Sequence, residues 1–189
     1  MSTDAMQLYR FRSANNRLGL WLFILSDSFV FGGLLISRLY LFGGIRPELN
    51  PILGVAVTLI LLTSSFFMNR AEIAISKGDL CRFLRGTLTT ILLGILFLVG
   101  VVGVEWQIAP FSPGDNALSS VFYTMTGFHA FHVLTGVIFL IVIYRHGRKG
   151  LYSQERHFPV EAAAVYWHFV DVVWVFFYPA LYLMGRPVL

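Results

Sequence analysis

The stretch WLFILSDSFVFGGLLI, residues 21–36, is apolar almost throughout, yet it carries an aspartate at position 27. Its length decides the kind of protein at hand. The apolar run around it covers about residues 18–42, and roughly 17 to 25 helical residues cross a hydrocarbon core of about 30 Å. Further runs of the same kind lie at about 52–68, 86–104, 119–144 and 162–184. Each is long enough, or nearly so, for one crossing.

The composition of the whole chain agrees. Its 189 residues are 57% hydrophobic and 13% charged, where a soluble domain carries about a quarter charged residues. The mean hydropathy is +0.72. The expected fold is all-α: a polytopic membrane protein, a bundle of five transmembrane helices, with residues 1–189 forming a single transmembrane domain. The first apolar run is too long for the core of a signal peptide, and no small-residue cleavage site follows it closely, so the N-terminus is expected to be retained. The sequence has neither repeats nor a low-complexity linker. Pro47, Pro51, the segment APFSPGDN at 109–116 and Pro159 mark boundaries where a helix stops or starts. Cys81 is the only cysteine and has no partner for a disulfide or a thiolate metal cage.

Orientation follows from the loops, because Lys and Arg collect on the cytoplasmic side of short loops. Arg10, Arg12 and Arg17 precede the first span, Arg70, Lys77, Arg82 and Arg85 follow the second, and Arg145, Arg148, Lys149 and Arg156 follow the fourth. The other side has Arg46 and Arg186, with Arg38 near the outer end of the first span. The expected topology therefore has a cytoplasmic N-terminus and an outer C-terminus. The pI of about 9.5 is then a topology signal, and nucleic acid is not an expected partner. Arg145, Arg148 and Lys149 read first as topology charges and second as a contact for anionic lipid.

Few polar residues lie inside the spans, where burying a charge costs a few kcal/mol or more. They are Asp27, His129 and His132, His168 and Asp171, and Glu105 where the third span ends. At a rise of about 1.5 Å per residue, Asp27 and Asp171 lie roughly 14 Å from their cytoplasmic ends and His132 roughly 18 Å from its own, so the three can share one layer. His129 and His132 are spaced i, i+3, as are His168 and Asp171, so each pair projects from one helix face. A heme held by two histidines needs one from each of two opposed helices, and a catalytic zinc needs three protein ligands. Interhelical hydrogen bonds are the stronger reading for the histidines, and no cofactor or metal is expected on this chain. Asp27 has no basic residue at its depth and is suited to exchange a proton. Gly32, Gly33, Gly94, Gly100, Gly103, Gly127 and Gly136 predict close helix approaches.

The segments FYTMTGFHAFHVLTGVIFL (122–140) and YWHFVDVVWVFFYPALYL (166–183) closely resemble the two signature helices of subunit III of heme–copper terminal oxidases. LGLWLFILSDSFVFGG (18–33), LILLTSSFFMNRA (59–71) and LLGILFLVGVVGVEW (92–106) resemble three further helices of that family, in the same order. The family's full-length members have seven helices, and this chain resembles the five-helix bacterial form. The resemblance implies a non-catalytic subunit of an oxidase that reduces dioxygen to water with coupled proton transport, in the bacterial cytoplasmic membrane. Heme and copper would sit in the partner catalytic subunit I, with subunit II and further small subunits as other partners and with bound phospholipid. Asp27 looks like the family's membrane carboxylate, a position where many cytochrome c oxidases have Glu and quinol oxidases often have Asp, so the electron donor stays open. His129, His132, His168 and Asp171 match the signatures and are expected to lock the last two helices together or to touch a lipid headgroup. An inter-subunit or lipid role is expected for Glu105, at the outer interface beside Trp106. Two other readings stand beside this one: an accessory subunit of a nitric oxide reductase, and a small proton-coupled transporter.

Overall fold

A computed structural model describes residues 3–188. Side chains are described for residue 13 and residues 15–187, so the charges expected at Arg10 and Arg12 lie outside the described ones. Five helices are long and apolar enough to cross a membrane. They are α1 (Thr3–Phe42), α2 (Pro51–Ser76), α3 (Leu80–Ile108), α4 (Ala117–Arg148) and α5 (Phe158–Leu183). Two of them end in wider π-type turns, α3 over Val99–Glu105 and α5 over Pro179–Leu183. In α5 the change begins at a proline, whose nitrogen cannot donate and whose ring crowds the preceding turn.

The helices outrun their apolar stretches. α2 continues past Met68 to Ser76, α3 starts at Leu80 ahead of Gly86, and α4 continues past Tyr144 to Arg148. Hydropathy marks where lipid ends, whereas the backbone ladder runs on until a cap stops it. Asn50 caps α2 by accepting from the amides of Ile52 and Leu53, and Asp79 caps α3 through Arg82. Asn116 and Ser119 form a reciprocal capping box at the start of α4. Gly78, at φ +79°, takes the left-handed conformation that turns the chain between α2 and α3.

The α2–α3 hairpin is close-packed, since a Cβ on Gly86 would meet the Ala71 Cβ at 2.9 Å. Trp167 of α5 is buried between Gly94 of α3 and Gly136 of α4, where added Cβ atoms would approach its ring to 2.6 and 3.0 Å. Gly32 and Gly33 are different: nothing lies within 4 Å of either added Cβ, so they draw no helix close. α1 leans mainly on α4 and α5. It leaves Leu18, Trp21, Leu22, Phe29, Ile36 and Tyr40 exposed while burying Ile24 and Phe31.

Two short strands, absent from the all-helical expectation, join the ends of α1 and α5. β1 (Ile45–Pro47) pairs in parallel with β2 (Arg186–Val188). Arg38 is fully buried beside them and donates to the carbonyls of Phe42 at 2.6 Å and Ile45 at 2.8 Å. Arg38 is therefore a cap for the open carbonyls at the end of α1, not a loop charge.

Candidate functional site

Asp27 and His132 meet between α1 and α4. Nε2 of His132 lies 3.2 Å from Oδ2 of Asp27. Nδ1 of the same ring lies 2.8 Å from the carbonyl oxygen of Phe128, one turn back on α4. A carbonyl only accepts, so Nδ1 carries a hydrogen. Nε2 of a neutral ring is then a lone-pair acceptor, and it would repel a bare carboxylate at that distance. Nε2 of His132 is the group that faces Oδ2 of Asp27, a buried oxygen with no hydrogen-bond partner of its own. Both side chains are largely enclosed, with 17% of Asp27 and 9% of His132 exposed. The aromatic rings of Phe31 and Phe128 flank the imidazole, at centroid distances of 4.9 and 4.7 Å. His132 also borders a surface groove with Leu20, Phe23, Phe131, Thr135 and Tyr166.

The other expected residues are distributed differently from the lock between α4 and α5. Nδ1 of His168 lies 2.7 Å from Oγ of Ser65, on α2. The same hydroxyl interacts with Asp171, one turn further along α5. Two indoles follow suit: Trp167 Nε1 donates to Ser64 Oγ at 3.0 Å and Trp174 Nε1 to Thr58 Oγ1 at 3.0 Å. The polar face of α5 is thus fastened to α2. Of the four residues, His129 alone spans α4 and α5, and it does so by ring packing against Trp174 at 4.8 Å between centroids. The α4–α5 seam is instead held at Gly136 and by Tyr166, whose hydroxyl pairs with Thr135 Oγ1 at 2.8 Å and donates to the His132 carbonyl at 3.1 Å.

Glu105 is 1% exposed and turns into the bundle, where Tyr182 donates to its Oε1. Its carboxylate does not face lipid. The π-type turns explain the direction, because both partners lie within them and the wider winding rotates side chains off the ordinary helical faces. Trp106, the next residue, donates from Nε1 to Thr126 Oγ1 at 3.1 Å.

His132 has Nδ1 against the Phe128 carbonyl and Nε2 facing Asp27, His168 has Nδ1 against Ser65, and fully buried His129, between Phe97 and Trp174, has both ring nitrogens without a hydrogen-bond partner. Among the described residues no three His, Cys, Asp or Glu side chains converge as a ligand set. Sequence reasoning passed over Ser64, Ser65, Thr58, Tyr166 and Tyr182. The hydroxyls of Thr58, Ser64 and Ser65 in an otherwise apolar span were the signal available, since such groups in lipid seek partners on neighbouring helices.

Fold and site together define a class: a polytopic helical membrane protein with a carboxylate and an imidazole facing each other between two of its spans. The chain belongs to the cytochrome c oxidase subunit III family, whose model matches residues 10–186. It is similar to cytochrome c oxidase subunit 3 of Thermostichus vulcanus, 37% identical over 178 residues that cover 89% of this chain and 87% of the relative. The protein of the same name from Synechocystis sp. is 35% identical over 175 residues, covering 88% and 74%. That of Artemia franciscana is 37% identical over 187 residues, covering 90% and 69%. This membership makes the chain a non-catalytic, multi-pass membrane component of a heme–copper terminal oxidase complex, working with other oxidase subunits. Neither the nitric oxide reductase reading nor the transporter reading is favoured.

Proposed function

We propose that the chain stabilises a catalytic subunit I, beside a subunit II, and supports proton uptake into it through the Asp27–His132 pair. The supporting observation is the 3.2 Å approach of Oδ2 to Nε2 in a ring whose Nδ1 is already committed to a carbonyl. A proton held between two such groups moves from one to the other with little rearrangement, and the bordering groove gives the pair a side open to its surroundings. Heme and copper belong to the partner, where they supply the redox chemistry. This chain's residues hold position and store the proton.

The reading extends to the setting. The N-terminus is cytoplasmic, as the distribution of Lys and Arg indicates, and the cyanobacterial relatives support a bacterial cytoplasmic membrane. Electrons come from cytochrome c, as the name of the relatives says of them. Phospholipid lies along apolar grooves such as the one between α1 and α5 lined by Phe31, Leu35, Phe169 and Phe176. Gentle detergent purification through a tag on this chain tests the assignment, with a reduced-minus-oxidised spectrum taken before and after separation. Heme bands should stay with the partner. Bands that follow this chain, or none at any stage, would contradict it.

A further inference from the structure

A second site lies far along the chain from the Asp27–His132 pair, at the turn between α2 and α3. Arg70 and Lys77 of α2 and Arg82 and Arg85 of α3 line one open cavity of about 690 Å³. Asp79 is the one carboxylate among the lining residues. It is already occupied, capping α3 at the Arg82 amide and pairing with Arg82 Nε at 3.2 Å. The Arg70 guanidinium lies over the Phe66 ring, 5.7 Å from its centroid, which orients the cation without neutralising it. The cavity therefore keeps a surplus of positive charge from Arg70, Lys77 and Arg85.

Topology alone asks only that such charges be on one side. Here they converge, because Arg70 and Lys77 share one face of α2, Arg82 and Arg85 share one face of α3, and the Gly86–Ala71 contact sets the two faces side by side. The apolar surface next to the cavity narrows the ligand further. Phe66 and Leu59 continue the Arg70 row down α2, and Leu92 and Leu96 continue the Arg85 row down α3, all four exposed. A soluble anion has no use for that wall. An amphiphile uses both parts, its phosphate among the cations and its chains along the rows.

We infer that this cavity binds the phosphodiester headgroup of an anionic phospholipid, with the acyl chains lying along α2 and α3. The inference stands apart from the proton-linked role proposed above and from the identity of the partner subunits. To test it, the complex purified through a tag on this chain is stripped with detergent, equilibrated in mixed micelles of phosphatidylglycerol and phosphatidylcholine with identical chains, and its retained lipids are counted by mass spectrometry. The Arg70→Gln/Arg85→Gln variant should retain about one phosphatidylglycerol fewer per complex, with phosphatidylcholine unchanged. Arg70→Lys/Arg85→Lys should behave like the parent. Should the glutamine pair fail to assemble, Lys77→Gln is read in the same way and should weaken retention. Equal retention in parent and charge-removed variants would overturn the site. Displacement of phosphatidylglycerol by inorganic phosphate would overturn the lipid assignment in favour of a soluble anion.

Discussion

Asp27→Asn is expected to leave assembly intact, because the amide is nearly isosteric and its NH2 can donate to His132 Nε2 with no shared proton needed. Proton uptake should slow, or the enzyme should lose activity over fewer turnovers. Unchanged uptake and unchanged decay would reduce Asp27 to a packing residue. Tyr182→Phe probes a different economy of charge. It removes the hydroxyl that donates to buried Glu105 and leaves a carboxylate oxygen without its partner, which costs about 1–3 kcal/mol. Thermal inactivation of the purified complex should therefore come at a lower temperature, and Glu105→Gln should recover part of the loss by removing the charge.

At the level of elements, α5 is fastened to α2 by hydrogen bonds and to α4 by close packing, and the two kinds of contact fail differently. His168→Ala should lower the amount of assembled complex, by the loss of a partly buried hydrogen bond worth about 1 kcal/mol. Ser65→Ala should cost less, and the double variant should be little worse than His168→Ala, since both changes delete one contact. A fully additive double variant would mean that His168 acts through something other than Ser65. Gly136→Val drives methyl groups into the Trp167 ring and should cost about 1–3 kcal/mol or prevent assembly. Gly32→Val, on a helix face with nothing within 4 Å, serves as the tolerated control in the same yield measurement.

For the molecule as a whole, Cys81 provides a test of orientation. It is exposed on the first turn of α3, at the end of the bundle that carries most of the basic residues. A membrane-impermeant maleimide should label it in inverted vesicles and spare it in intact cells, and the reverse pattern would put the N-terminus outside. α1, with its outer face of Trp21, Phe29, Ile36 and Tyr40 uncovered, is the element that this chain packs least completely. Its inner face nonetheless brings Asp27 to His132, so the same helix contributes one of the two facing polar side chains.

The number and order of the spans were legible in the sequence because lipid imposes a length and an apolarity that any helix must meet, whatever it packs against. The same constraint made Asp27, Glu105 and the three span histidines visible, since a polar group in a long apolar run stands out without any knowledge of neighbours. Partners were a different matter. Spacing along one helix tells which face a residue shares, but not which helix faces it or how far it is rotated. His168 meets Ser65 of α2, His132 meets Asp27 of α1, and Glu105 turns inward to Tyr182. Each of those outcomes depends on how glycines set the interhelix distances and how the π-type turns re-aim side chains, and these are settled only when all five helices pack at once.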